Sequence, residues 1–233
     1  MNKLCSWSCG CIFAVLGSID ATATTINTTV SGQANIWSAG HATAEALVGG
    51  AGTLAVLIEI PGGHDGTLVI SSVTGTIDYG ACCVENGADG IATSGAAPAM
   101  SYRGIAGVVI PRGRFLAGVF LNDDEPVDPA PSQLDMSDGI GFSILSPDLA
   151  QSFFIGDGLI GTDAGLAQII NIPEGATRLY LGFHDSFQDL PGYFQDNTGS
   201  LTLAANFVVP APAAAWLLGT ALGVMGWMRR KAS

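Results

Sequence analysis

Short apolar runs separated by Gly, Pro and Asn dominate the chain between residues 24 and 207. No amphipathic stretch with a period of 3.6 residues lasts for about 11 residues, so long helices are not predicted there. Runs rich in β-branched and aromatic residues, bounded by turn signals, are typical of strands instead. The predicted strands are Thr53–Ile60, Thr67–Val73, Ile105–Ile110, Phe115–Leu121, Gln168–Ile172, Arg178–Phe183 and Ser200–Phe207. This pattern favours an all-β fold, an antiparallel β-sandwich of the jelly-roll kind.

Residues 24–207 are numerous enough for one domain with its own hydrophobic core. The acidic, Pro-rich segment Asn122–Asp135 is interpreted as a long surface loop, since neither flank alone would close a sandwich. Cys82 and Cys83 are the only cysteines of this domain. Adjacent Cα atoms lie about 3.8 Å apart, below the usual disulfide range, so free or transiently paired thiols are expected.

The C-terminal end of the chain carries a longer apolar run. Ala213–Met228 contains no charged residue, and a helix of that length reaches about 24 Å, against roughly 30 Å for the hydrocarbon core of a bilayer. The preceding apolar residues extend the span, and Arg229, Arg230 and Lys231 would hold its end in the cytoplasm. Residues 208–233 are therefore predicted to contain a single transmembrane helix. The alternative is a buried C-terminal helix of a soluble domain.

The same tail contains a short proline motif before its apolar run. Pro210, Pro212 and Trp216 lie in a Val-Pro-Ala-Pro-Ala-Ala-Ala-Trp-Leu-Leu-Gly sequence, and three basic residues close the chain. This arrangement resembles the PEP-CTERM sorting signal of Gram-negative bacteria. The resemblance implies recognition by an exosortase at the inner membrane, followed by transfer to the cell surface or the extracellular space.

The N-terminus has the pattern of an exported protein. Lys3 precedes a mostly apolar stretch, Leu4–Ile19, and Ala21-Thr22-Ala23 supplies the small residues that a signal peptidase accepts. Residues 1–23 are therefore predicted to be a signal peptide with a short apolar helix, cleaved after Ala23. The chain then divides into this leader, a β domain over 24–207 and the sorting segment.

Charge restricts the partners of the β domain. Residues 24–209 keep 19 of the 20 acidic residues but only four basic ones, all arginine, for a net charge of −15. Nucleic acid is not an expected partner, because binding it requires basic side chains that neutralise phosphates. Clustered carboxylates instead suit divalent cations.

The densest polar segment lies between the predicted strands Arg178–Phe183 and Ser200–Phe207. It includes Asp189, Asp196 and Asn197, whose side-chain oxygens are the ligands that Ca²⁺ prefers, together with backbone carbonyls. The spacing is not that of an EF-hand. The alternative is an ordinary polar hairpin loop in which Asx side chains cap turns.

The segment from Asp189 to Ser200 reads Asp-Leu-Pro-Gly-Tyr-Phe-Gln-Asp-Asn-Thr-Gly-Ser. It resembles the calcium- and sugar-binding loop of the PA-IL type galactophilic lectins of bacteria, which have a galactose-binding-like β-sandwich. The resemblance implies that Asp189, Asp196, Asn197 and the carbonyl of Tyr193 bind Ca²⁺. A further carbonyl would come from Tyr79, in a matching Gly-x-x-x-Tyr-Gly stretch. The His and Gln that orient galactose in that family have no counterpart between Tyr79 and Arg112.

These observations predict calcium-dependent binding of carbohydrate, such as the exopolysaccharide of a biofilm matrix. The alternative is a structural component of that matrix in which Ca²⁺ only stabilises the fold. An enzyme is not predicted, because the chain has no Gly-x-Ser-x-Gly elbow, His-Glu-x-x-His motif or phosphate loop. A glycosidase needs only two carboxylates, so that class stays open.

Overall fold

The computed structural model describes residues 22–62, 66–80, 86–161 and 165–209, which belong to one compact unit, Thr22–Pro210. Most of the predicted signal peptide lies outside the described residues, as do Cys82 and Cys83. The sorting residues Pro210, Pro212, Trp216, Arg229, Arg230 and Lys231 also lie outside them. Within the described ranges, no helix has the length and apolar character needed to cross a bilayer.

The described chain is all-β, as the sequence predicts, and its regular elements are strands apart from 3₁₀ turns at Ile36–Ser38 and Phe194–Asp196. The strands are β1 (Thr22–Ser31), β2 (Ala34–Asn35), β3 (Thr53–Leu54), β4 (Val56–Glu59), β5 (Thr67–Asp78), β6 (Ile91–Pro98), β7 (Val108–Gly113), β8 (Leu116–Leu121), β9 (Leu134–Asp135), β10 (Ile144–Leu145), β11 (Ser152–Phe154), β12 (Ile169–Asn171), β13 (Arg178–Phe183), β14 (Ser186–Phe187), β15 (Leu190–Pro191) and β16 (Thr198–Val209).

The first large sheet has the order β1-β16-β5-β12-β10, with β16 antiparallel to both of its neighbours. The sequence of β16 explains its place at the centre of the longest pairings. Leu201, Leu203, Ala205 and Phe207 are buried, whereas the residues between them are exposed or half-buried. This alternation puts one face of the strand into the core and leaves the other toward solvent.

The second large sheet has the order β11-β8-β13-β2-β3, and β4 also pairs with β13. Every residue of β8 is buried, and its two faces enter two different hydrophobic clusters. Leu116 and Phe120 join the cluster that also holds the inward face of β16. Ala117, Val119 and Leu121 join the other cluster. A strand covered on both faces reads as a continuous apolar run, as β8 does.

Strand β13 lies beside β8 at the middle of this sheet and leads directly into the candidate site. Leu179, Leu181 and Phe183 contribute to the first cluster, and Tyr180 to the second. The strand ends at Phe183, as the sequence predicts. Because both faces of β13 are packed, the residues that follow it start from a fixed position.

Two smaller sheets flank this region: a three-stranded sheet in the order β6-β7-β9 and the β14–β15 hairpin. Some predicted boundaries differ from the observed ones. The predicted strand Thr53–Ile60 is divided between β3 and β4, and β5 continues to Asp78 because it pairs along the length of β16. Strand β1 begins at Thr22, two residues before the predicted start of the domain.

Candidate binding site

Residues 184–197 connect β13 to β16 and contain the β14–β15 hairpin and one 3₁₀ turn. A neighbouring backbone segment holds this connection in place. The amide of Leu47 donates to the carbonyl of Pro191 at 2.9 Å, and the amide of Phe194 donates to the carbonyl of Gly50 at 3.1 Å. The side chain of Gln33 donates to the carbonyl of Gln195 at 3.1 Å. The loop therefore has a defined backbone conformation supported from outside its own sequence.

The β14–β15 hairpin turns through Gln188 and Asp189, which have φ angles of 51° and 65°. Two-residue hairpin turns favour positive φ at both central positions, where Gly or Asn is the common choice. The carbonyl of Asp189 accepts a hydrogen bond from the amide of Met100 at 3.0 Å, and its side chain is exposed. Asp189 thus occupies a left-handed conformation that carries a steric cost for a residue with a Cβ atom.

Replacing Asp189 by Gly is expected to raise the free energy of unfolding in chelator by up to about 1 kcal/mol, because Gly removes that steric cost. Urea denaturation of the full-length chain measures the change. The matched control is Asp138→Gly, at an exposed position without positive φ, which should lower stability through backbone entropy alone. A loss of stability in Asp189→Gly as large as in the control would contradict the strain argument.

A cavity of about 280 Å³ lies beside the loop. Three of the residues predicted to bind Ca²⁺ line it, together with four residues that the sequence did not single out. Its lining is Tyr79, Arg114, Asp185, Ser186, Phe187, Tyr193 and Asp196. Residues more than 100 positions apart in the chain therefore converge here.

The Tyr79 segment approaches the loop through Gly80. A Cβ atom built on Gly80, whose φ is +70°, would lie 2.9 Å from Oδ2 of Asp196. Glycine is required by both the conformation and the close approach. The Asp196 carboxylate thus packs against the backbone that directly follows Tyr79.

The Tyr79 side chain itself has a structural role. Its hydroxyl donates to the carbonyl oxygen of Arg114, and the Arg114 guanidinium lies 5.6 Å from the Tyr79 ring centroid. Burial, with the nearby Asp185 carboxylate, raises the pKa of the phenol well above its usual value, so the hydroxyl stays protonated. The Tyr79 side chain is thus engaged within the protein, and the predicted role in metal binding concerns its backbone carbonyl alone.

Asn197 and Asp185 form the buried floor of the loop. The Asn197 Nδ2 donates to Oδ2 of Asp185 at 3.0 Å and to the carbonyl of Gly32 at 3.0 Å. The Asn197 Oδ1 is buried and has no hydrogen-bond partner among the described residues. A buried amide oxygen without a donor is costly, and it is a suitable ligand for a cation.

Asp185 is a site residue that the sequence analysis did not select. It is 2% exposed, and burial raises the pKa of its carboxyl, although Asn197 and Arg114 oppose that shift. The Nε of Arg114 lies 3.4 Å from Oδ1 of Asp185. The available signal was a carboxylate two residues after the mostly apolar strand β13, where it must be either solvated or paired.

Asp189 is not in this cavity. It lines an adjoining one, also of about 280 Å³, which shares Arg114 and Ser186 with the first. Of the five predicted metal ligands, Tyr79, Tyr193 and Asp196 line this cavity, and Asp189 lines the adjoining one. Asn197 is fully buried and is connected to the lining through its hydrogen bond to Asp185. Among the described residues, no group of three or more His, Cys, Asp or Glu side chains is placed to hold a metal ion. A cation site here would need amide and backbone oxygens besides carboxylates.

Two exposed aromatic side chains line the cavity that contains Asp196. The rings of Phe187 and Tyr193 are 5.5 Å apart in an edge arrangement and are 50% and 43% exposed. Their rings offer flat apolar surfaces with negative partial charge on the faces. The cavity therefore places exposed aromatic rings beside the carboxylates of Asp185 and Asp196, a mixture of apolar and polar surface that is common in small-molecule sites.

Comparison with protein-family models, with curated proteins and with solved structures found no match for this chain.

Proposed function

We propose that this protein binds carbohydrate in the cavity beside Asp196, with Ca²⁺ as part of the binding site. The observation that carries the proposal is the buried Oδ1 of Asn197, which has no partner among the described residues. It belongs to the residue next to Asp196, whose carboxylate packs against the Tyr79 segment. Carboxylate, amide and carbonyl oxygens together are the ligand set of Ca²⁺.

The contacts of Asn197 support a role for Asp185 in positioning. Because Nδ2 of Asn197 donates to both Asp185 and Gly32, the amide cannot rotate without losing two hydrogen bonds. Oδ1 is therefore kept free for a ligand. Asp196, Asn197 and the carbonyls of Tyr193 and Tyr79 would hold the ion, which would offer open coordination positions to sugar hydroxyls.

The proposed architecture is a jelly-roll-like, galactose-binding-like sandwich of the two large sheets. Residues of both sheets share one hydrophobic cluster, which supports this architecture.

The proposed setting is the cell surface or an extracellular polysaccharide matrix. The partners before sorting are a signal peptidase, an exosortase and the inner membrane, on the strength of the terminal segments alone. The proposed activity is binding without turnover.

Calorimetric titration of the full-length chain with Ca²⁺ tests the metal site. The wild-type protein should release or absorb heat saturably, and Asp196→Asn should weaken binding by at least about tenfold, because it removes a charged ligand. Asp138→Asn makes the same charge change at an exposed site and should bind as the wild type does. Absence of any saturable heat, or equal binding by Asp196→Asn, would contradict the proposal.

A further inference from the structure

The cavity lined by Asp189 contains arginine side chains, which are rare in this acidic protein. Its lining is Ile91, Thr93, Ala99, Val108, Ile110, Arg112, Gly113, Arg114, His184, Ser186, Gln188 and Asp189. Two of the four arginines between residues 24 and 209 line it, in a segment that has 19 acidic residues and no lysine. Half of the positive charge of the domain is therefore concentrated at one cavity.

Two backbone carbonyls hold the side chain of Arg112. Its Nη1 donates to the carbonyl of Asp89 at 2.8 Å and to that of Gly90 at 3.4 Å. These two bonds fix the guanidinium, and no carboxylate of the described residues lies within ion-pair distance of it. Arg112 is half-buried. A partly desolvated guanidinium held in this way is a site for an anion with paired oxygens.

The other charged groups of the cavity are one ion-paired arginine and one exposed carboxylate. Arg114 is associated with Asp185, and the exposed carboxylate of Asp189 lies at the hairpin turn. Burial lowers the pKa of His184 to about 4, so its imidazole is neutral at physiological pH. With Asp189 among the lining residues, a singly charged carboxylate fits better than a doubly charged phosphate.

The neutral groups of the cavity suit the rest of a sugar. Ser186, Gln188 and Thr93 supply hydroxyl and amide groups, and Nε2 of His184 is buried without a hydrogen-bond partner among the described residues. A volume of about 280 Å³ is at the lower end for small-molecule sites, which suits one sugar ring. Arg114 and Ser186 line both cavities, so the two cavities lie next to each other.

We infer that this cavity binds the carboxylate of a uronic acid residue of a glycan, with Arg112 as the residue that selects acidic over neutral sugars. The inference rests on the proposed carbohydrate-binding function and adds the class of sugar. It needs no calcium, because the recognising charge belongs to the protein.

The test is calorimetric titration of the full-length chain, in excess chelator, with a tetramer of galacturonic acid and with its neutral methyl ester. The acidic tetramer should bind at least about tenfold more tightly than the ester, since a charge-assisted pair contributes roughly 1.5–3 kcal/mol. Arg112→Gln should abolish that preference. Arg103→Gln makes the same charge change at a surface ion pair with Glu45 and should keep it.

A second variant guards against misfolding of Arg112→Gln. Thr93→Glu places a negative charge at an exposed position of the cavity lining, and it should weaken the acidic tetramer without affecting the ester. Equal affinity for tetramer and ester, binding of neither, or an unchanged preference in both cavity variants would overturn the inference. Displacement by inorganic sulfate at the concentration of the tetramer would also overturn it, since that identifies a general oxyanion site. If the calcium titration failed but the acidic tetramer still bound in chelator, the inference would stand, because the proposed binding at Arg112 needs no calcium.

Discussion

Acidification from pH 7 to pH 4 is expected to cost the folded protein about 3 kcal/mol through His184 alone. The side chain is buried, and burial lowers its pKa from 6.5 to about 4. Because the unfolded chain takes up the proton at higher pH than the folded one, this stabilising contribution is complete above pH 6.5. It is lost progressively as the pH falls to 4.

The surroundings of His184 give the physical reason. Its ring stacks on Phe115 at a centroid distance of 4.9 Å and lies 4.5 Å from the ring of Trp37. An imidazolium ion in that aromatic setting would lose its hydration. Asp185 acts in the opposite direction, because its raised pKa makes protonation favour the folded state as the pH falls. The effect of His184 must therefore be isolated by a variant.

Urea unfolding of the wild type and of His184→Phe, at intervals between pH 7.5 and pH 4, measures the effect. The variant keeps an aromatic ring in the stack and should lose about 3 kcal/mol less over this range. His41→Gln, at the histidine beside Glu125, should keep the wild-type loss because His184 is intact. A His184→Phe profile as steep as that of the wild type would show that other groups cause the acid sensitivity.

Replacing Asn197 by Asp is expected to destabilise the calcium-free protein by about 3–5 kcal/mol, the cost of an uncompensated buried charge. Asn197 is fully buried, and the change removes the donor to Gly32 and to Asp185. The change also places a second buried carboxylate next to that of Asp185. Bound Ca²⁺ would supply the missing positive charge, so the loss should shrink by at least about 2 kcal/mol when the ion is in large excess.

Thermal and urea unfolding in chelator and in Ca²⁺ test this prediction. Asn206→Asp is the control, because it lies on the same strand, keeps its acceptor oxygen for Thr25 and makes the same charge change. Asn206→Asp should lower the free energy of unfolding much less than Asn197→Asp does, and Ca²⁺ should not change that loss. A large loss in Asn197→Asp that calcium leaves unchanged would assign Asn197 a purely structural role.

The sequence predicts the strands whose apolar pattern is strong. Strand β13 has the predicted bounds, and the alternating residues of β16 make that strand recognisable. Strand β1 was not predicted because it overlaps the end of the predicted signal peptide, although its β-branched residues are typical of a strand. It pairs with β16 along its whole length.

The candidate site is less predictable, because it depends on tertiary contacts. The loop residues Asp196 and Asn197 stand out by their spacing. Arg114, in contrast, reaches Asp185 across 71 positions of the chain, and no local pattern indicates that pairing. The Gln188–Asp189 turn also adopts positive φ without Gly or Asn, so the separation of Asp189 from Asp196 could not be foreseen.

Binding to a panel of immobilised glycans, with Ca²⁺ and with chelator, tests the central claim most directly. The wild type should bind one or more glycans in Ca²⁺ and bind neutral ones much more weakly in chelator, and Asp196→Asn should bind neutral ones weakly in both. Asp138→Asn should behave as the wild type. Retention of no glycan under either condition, or neutral-glycan binding that chelator and Asp196→Asn leave unchanged, would contradict a calcium-dependent carbohydrate site.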